Sequence, residues 1–475
     1  MTTTVPHQTL ESRPDERRAR IALTLLAVAQ LMLVLDVTVV NVALPAIGAD
    51  LDLSSGAVPW VMTIYTLLFG GLMLLGGRLA DLLGSRRMVL VGLILFTVSS
   101  LVCALSDSSA LLLAGRASQG IGAAVMSPAA LATAISLFNE EGRARALSVW
   151  SALAGVGSVL GVILGGVLTG GPGWRWVFAI NIPIGVALLV ILPLIVPASS
   201  RARSAARTPL DLPGAILVTA GTGAAIYGLI TAGTDGWGSA STILPLAGAV
   251  VLWALFALVE TRTQQPLLRL DLLTQRPVLV GSFLMLVATG LLIGGFFVGS
   301  FSLQHASGYS ALRVGLYFIP VALATGLGAH LAGRLLALSN AKVVATTGLT
   351  LVAGGYAAAA IWTEPAVLVA GLSVAALGIG ATFVTAFTAA LTDVGDHERG
   401  LRSALVSTFH ELGGAAGVAA LASVVGAALV APGVTPGDFS SAFTTAAIAA
   451  GAAAAISVFL VPTIRSAVDA PRPMH

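Results

Sequence analysis

Of the 475 residues, 57% are hydrophobic and only 9% are charged, and the mean hydropathy is +0.96. A soluble domain carries about 25% charged residues, so this composition excludes one and indicates a polytopic membrane protein. The formal net charge of +3 gives no reason to expect a nucleic-acid partner, and the single Cys103 excludes an internal disulfide or a multi-cysteine metal site.

The first 20 residues are polar, and Arg13, Arg17, Arg18 and Arg20 precede an apolar run from Ile21 to Ile47. That run is too long for the apolar region of a signal peptide and has no small-residue cleavage site, so it is expected to stay as the first span. At about 20 apolar residues per crossing, fourteen spans are predicted. Six lie at roughly 21–47, 57–77, 88–106, 110–134, 146–169 and 175–196, and two at roughly 212–232 and 241–260. Six more lie at roughly 278–300, 313–335, 341–361, 365–389, 402–430 and 441–464. The expected organisation is a tail (1–20), a six-helix bundle (21–196), a linker with two extra spans (197–277), a second six-helix bundle (278–466) and a tail (467–475). Two six-helix halves of this kind are a transporter architecture.

Loop charges test the count. With the N-terminus inside, Arg and Lys should collect in the tails and the even-numbered loops. Of the 24, 21 do, the exceptions being Arg116, Arg175 and Arg313. The other loops carry Asp50, Asp52, Asp107, Asp235, Glu364 and Asp438. Removing any one span would invert every later loop, so both termini are expected to be cytoplasmic.

Span one carries Asp36 deep inside, with Asn41 and Pro45 after it. A carboxylate at the centre of a spanning helix costs about 2.5–3.5 kcal/mol on insertion scales, so it faces a partner or a cavity. Span four carries Arg116 and Gln119. At about 1.5 Å per residue, Asp36 stands about 22 Å up from the inner end and Arg116 about 12 Å down from the outer end, which matches them in depth. The pair is either a static ion pair or a proton site in which Arg116 holds the carboxylate ionised until the helices separate.

After span two, Gly77, Asp81, Gly84, Arg86 and Arg87 fall at a helix–turn–helix junction. The glycines suit a tight turn with close helix approach, and Asp81 can accept from a helix N-terminus or an arginine. An ordinary basic loop has the same ingredients. Span five sets Gly157, Gly161 and Gly165 at four-residue intervals, with Gly166 alongside, a stripe suited to close helix packing. In span thirteen, Glu411 lies about 14 Å up. It is either a second protonatable or cation-attracting group or a carboxyl hydrogen-bonded to a neighbouring helix. His410 is expected at a helix contact.

These motifs together resemble the major facilitator superfamily. GGRLADLLGSRRMVLVG at 76–92 is similar to its signature loop, with Leu82 where the family has a basic residue. LDVTVVNVALPAI, Arg116 with Gln119–Gly120, the glycine stripe (Val162 replacing the usual proline) and WRWVFAINIPIG at 174–185 resemble its fourteen-helix drug:proton antiporters. The resemblance implies an all-α polytopic fold, two six-helix bundles plus an inserted pair. It also implies a conformational latch at Gly77–Arg87, a packing motif at Gly157–Gly166, and proton coupling near Arg116.

No Gly-Lys-Ser/Thr phosphate loop is present, Lys342 being the only lysine. Gly414 stands where a zinc protease starting at His410–Glu411 needs its second histidine, and no G-x-S-x-G occurs. The expectation is therefore a non-enzymatic, monomeric, bacterial cytoplasmic-membrane protein using no ATP and no cofactor. It would export hydrophobic, amphipathic or monocationic compounds against protons, with Asp36 and Arg116 coupling and Asn41, Gln119 and Glu411 in the cavity. A dedicated exporter of one metabolite and a non-transporting receptor are the alternatives. In a Cys103→Ser background, Asp107→Cys should react with a membrane-impermeant maleimide on intact cells, and Arg87→Cys only after permeabilisation; the reverse pattern would invert the topology.

Overall fold

The computed structural model describes residues 16–138, 140–196, 210–392 and 394–463. Arg13, the hydrophilic stretch holding Arg201, Arg203 and Arg207, and the tail from 467 onward lie outside the described residues. The chain is all-helical. In order come α1 (Glu16–Asp50), α2 (Trp60–Leu83), α3 (Ser85–Ala104), α4 (Ser109–Ser136) and α5 (Glu140–Gly170). The sixth span is broken into α6 (Arg175–Ala179) and α7 (Asn181–Ile195). Then follow α8 (Leu212–Asp235), α9 (Ala240–Arg262), the short α10 (Leu270–Thr274) and α11 (Arg276–Phe301), which continues as a π-helical turn (Ser302–Ala306). The chain closes with α12 (Ala311–Leu338), α13 (Ala341–Ile361), α14 (Pro365–Ala390), α15 (Asp396–Val425) and α16 (Ser440–Leu460).

Among the described residues, twelve helices are long and apolar enough to cross a membrane. Helices α4 and α5, of 28 and 31 residues, have the length and take the fourth and fifth places. The fourth place is less apolar because α4 carries Arg116, Gln119, Ser127 and Thr133, all turned into protein and buried. Helix α4 packs against α2 and α3, and α5 against α1 and α12.

Both sets of six helices use one device to fix their ends. Arg18, at the start of α1, donates from Nε to the carbonyl of Ile195 (2.9 Å) and from Nη2 to that of Leu194 (2.8 Å). Arg276, at the start of α11, donates likewise to the carbonyls of Leu460 (3.0 Å) and Phe459 (2.9 Å). Each guanidinium thus satisfies the open carbonyls at the C-terminus of its set's last helix, where positive charge is also favoured. The sequence repeats as well. Gly77-Arg78-Leu79 with Gly92 has its counterpart in Gly333-Arg334-Leu335 with Gly348, but Ala337 stands where the first copy has Asp81. Such internal repeats are the mark of a transporter built from two related halves.

The buried apolar side chains sort by position along the helices. At the Arg86 end, one core is confined to residues 22–196 (Leu26, Leu33, Met88, Ala130) and another to residues 280–461 (Leu284, Val344, Ala386). At the Asp50 end a single core draws on both sets, joining Val40, Leu44 and Phe178 to Phe297, Phe318 and Phe443. The two sets are therefore fused at the Asp50 end, whereas at the Arg86 end their main cores are separate and Leu74 of α2 meets the second set only through a small core of Phe256, Leu268, Val278 and Leu405. Helix α8 lies along this seam, where Leu67 of α2, Ile226 and Ile230 of α8 and Ala415 and Ala419 of α15 share one small core.

Close helix approach depends on glycine at defined points. A Cβ on Gly417 of α15 would stand 2.1 Å from the carbonyl oxygen of Gly290 on α11, and one on Gly76 would stand 2.0 Å from that of Ala124 on α4. A Cβ on Gly77 would meet only Pro128, at 3.9 Å, so the close approach expected at Gly77 belongs to its neighbour Gly76. Gly84 does make the α2–α3 turn, with φ at +95°. Gly417→Ala should lower stability by about 1–3 kcal/mol through overpacking, read as a lower unfolding midpoint in detergent, whereas Gly451→Ala, with nothing within 4 Å, should leave it unchanged or raise it.

Candidate functional site

Among the described residues, an ion pair with both partners fully buried joins α1 and α4. Arg116 Nη1 donates to Asp36 Oδ2, and both side chains are shielded from solvent, at 1% and 0% exposure. Two ions taken out of water each cost several kcal/mol, recovered only when geometry is good and the remaining donors and acceptors are met. Here they are met. Asp36 Oδ1 accepts from Gln119 Nε2 (3.2 Å) and Asn181 Nδ2 (3.4 Å). Arg116 Nε donates to the Val61 carbonyl (2.9 Å), and Nη1 also to Gln119 Oε1 (2.8 Å). Gln119 in turn donates to Ser100 Oγ (2.8 Å), whose own proton goes to the Phe96 carbonyl (2.8 Å).

Each helix supplies its part for a local reason. Arg116 and Gln119 are three residues apart on α4 and so share a face. Asn181 begins α7 just after the break that separates it from α6. The Val61 carbonyl lies in the first turn of α2, where Pro59 and Trp60 precede it. The guanidinium is also covered by aromatic faces, with its carbon 4.4 Å from the Tyr65 ring centre and 5.7 Å from that of Phe178. A desolvated cation there gains about 2 kcal/mol or more. The Tyr65 hydroxyl has no hydrogen-bond partner among the described residues.

The other sequence-selected residues fall in three places. Gln119, expected in the cavity, is fully buried within the ion-pair network. Asn41 turns toward the second set, donating to the Ile293 carbonyl on α11 at 3.5 Å. Glu411 is half-buried on α15 opposite α2, where a Cβ on Gly70 would stand 2.8 Å from Glu411 Cβ. It forms no hydrogen bond or ion pair with the described residues. His410 does sit at a helix contact, sharing a 2.8 Å hydrogen bond between Nδ1 and Thr289 Oγ1, with Phe383 packed against its ring.

The glycine stripe of α5 rests on the helix that carries Asp36. A Cβ on Gly157 would meet Val34 at 2.6 Å, one on Gly161 would meet Thr38 Oγ1 at 1.7 Å, and one on Gly165 would meet Val42 at 3.0 Å. Gly166 faces away, against Ala311 and Leu312 of α12 at 3.0 Å. In the loop after α2, Arg86 Nη2 donates to the Pro193 carbonyl at 2.7 Å, tying α3 to α7, while Asp81 and Arg87 are exposed.

Sequence reasoning gave no role to Asn181, Ser100, Tyr65 or Gln304. Asn181 was signalled by its place in WRWVFAINIPIG, whereas the others look like ordinary polar residues of a span. Gln304, in the π-helical turn, donates across to the Val42 carbonyl of α1 at 2.8 Å. Arg175, an exception to the loop-charge rule, is accounted for by its partner, since it and Trp174 both donate to Asp50 Oδ2, at 2.9 and 3.0 Å.

Residues 26–418 match the family profile described as Major Facilitator Superfamily. The chain is 36% identical to the cephamycin export protein of Amycolatopsis lactamdurans, over 94% of each chain. It is 39% identical to the puromycin resistance protein of Streptomyces alboniger, over 86% of this chain and 82% of that one. Among solved structures it resembles the peptide transporter POT, with a TM-score of 0.67 at 16% identity over 96% of both chains.

Arg116→Leu leaves Asp36 buried without a charge partner and should cost about 3–5 kcal/mol of stability. Adding Asp36→Asn should recover much of that loss, and a double-mutant cycle on unfolding midpoints measures the coupling.

Proposed function

The chain belongs to the Major Facilitator Superfamily, and from that premise we propose that it is a proton-coupled antiporter exporting hydrophobic or amphipathic drugs from the cytoplasm by alternating access. The observation that carries this reading is the Asp36–Arg116 pair, a carboxylate fully withdrawn from water on a helix that also contacts the second set of helices. Residues 21–196 and 278–466 form the two moving halves. The Arg86 end is cytoplasmic, and the separate cores there correspond to an arrangement closed toward the outside.

Protonation of Asp36 removes its charge while Arg116 keeps its bonds to the Val61 carbonyl and Gln119. What is lost is the attraction between α1 and α4. Breaking a buried pair is worth about 3–5 kcal/mol, close to the roughly 5.5 kcal/mol that carries a two-state equilibrium from one side to the other. Because the same helix packs on the α5 stripe and accepts the cross-bond from Gln304, a shift of α1 is felt directly at the outer closure. Gly77, Asp81, Gly84, Arg86 and Arg87 act as the cytoplasmic latch. Substrate lies between the halves, where Glu411 attracts the cationic group of monocationic compounds and Asn41 lines the outer limit. Protons are the coupling ion, and a monomer suffices.

A narrower reading, in which one antibiotic is the substrate, is favoured by the relatives named for cephamycin export and puromycin resistance. A growth screen of expressing cells against a panel of toxic compounds separates broad from single-compound export. For the coupling itself, Asp36→Asn in proteoliposomes should abolish dye efflux driven by a pH gradient while leaving downhill exchange of dye. Full gradient-driven efflux by the variant would overturn the proton role of Asp36.

A further inference from the structure

A pair of acidic side chains lies far from Asp36, where the inserted hairpin α8–α9 meets the linker that follows it. Asp211 caps α8, its Oδ1 accepting from the Gly214 amide (2.9 Å) and its Oδ2 from the Leu267 amide (3.3 Å). Glu260, in the last turn of α9, accepts from the Leu268 amide through Oε2 (3.2 Å). Both are buried, at 7% and 4% exposure. A Cβ built on Gly214 would stand 2.5 Å from Asp211 Oδ2 and 2.8 Å from Glu260 Oε1, so the two oxygens converge over one backbone position.

Glu260 Oε1 receives no N–H or O–H from any described group. Of the basic groups nearest to it, two are held by other acids and one faces the adjacent cleft. Arg78 of α2 lines the adjacent cleft with Asp211 and Gln265. Arg269 is held by Asp271 and lies near Glu398, and Arg402 of α15 is held by Glu398 and Gln275. A buried carboxylate oxygen pressed against a second carboxyl and offered no donor is satisfied only if one of the two acids is protonated, because two adjacent carboxylates cannot both stay ionised out of water.

We propose that Asp211 and Glu260 form a binding site for one shared proton, which staples the 265–269 linker to the base of the inserted hairpin. The staple sits beside Arg78 and Leu82 of the α2 latch segment and one linker residue from Arg269, which reaches toward Glu398 at the start of α15. Loss of the proton puts two like charges at the hairpin base and loosens all three. The site is independent of Asp36 and of any transport cycle. Since the folded chain holds a proton there that the unfolded chain releases at neutral pH, its contribution to stability falls as pH rises.

The test uses the full-length protein in nanodiscs. Infrared difference spectra between mildly acid and mildly alkaline pH should show a carboxylic-acid carbonyl band that disappears on alkalinisation, and this band should be lost in Glu260→Gln. The amide of Glu260→Gln can donate to Asp211, so the variant should also show a flatter fall of the unfolding midpoint with pH than the parent chain. Asp211→Asn should give the same two results and stands in if Glu260→Gln does not fold. An unchanged band with an unchanged pH slope in the variants would overturn the proposal. So would a midpoint of the parent chain that moves with EDTA or added magnesium, which would give the pair to a cation.

Discussion

Removing Asp36 and Arg116 from water is the costly step around which the first six helices are arranged. The remaining lone pairs and protons of the two side chains have to be met by protein, and the neighbouring helices meet most of them. Gln119 and Asn181 take the second carboxylate oxygen, the Val61 carbonyl takes Nε, and Tyr65 and Phe178 cover the guanidinium faces. This demand explains why α4 carries two of the most polar side chains of the first six helices, Arg116 and Gln119, fully buried. Leu111 and Ile121 are its large apolar side chains on the outside.

Helix α1 then connects this local chemistry to the whole molecule. Along one side it rests on the glycines of α5 so closely that Gly161 has no room for a methyl group beside Thr38. Near its Asp50 end it joins α11 through Asn41 and the π-helical turn through the Val42 carbonyl. A packed interior passes on small displacements because it has no empty space to absorb them. A change in the attraction between α1 and α4 is therefore felt where the two sets of helices share one core, and least where their cores are separate.

The inserted hairpin extends this picture. Helix α8 packs against both α2 and α15, with Gly71 facing Thr219 and Gly233 facing the Ser423 backbone. It covers one side of the seam between the two sets, and the acid pair at its base joins it to the linker that runs on to α11. Two buried carboxyls there, with backbone amides as their donors, are a second place where buried acidic groups and the packing of helices meet.

Much of this was legible in the amino-acid order. Apolar run length located the long helices, since bilayer thickness acts on short local stretches. The depth of Asp36 and Arg116 followed from rise per residue alone, and the glycine stripe from helical periodicity. What needed the tertiary structure was which groups meet across helices. The roles of Asn181, Ser100 and the Val61 carbonyl, the cross-bond from Gln304, and the preference of Gly76 over Gly77 depend on rotation about helix axes and on crossing points. The convergence of Asp211 and Glu260, 49 positions apart by their numbers, is of the same kind. Local sequence sets where a residue lies along the membrane normal; only packing in the membrane plane decides what it touches.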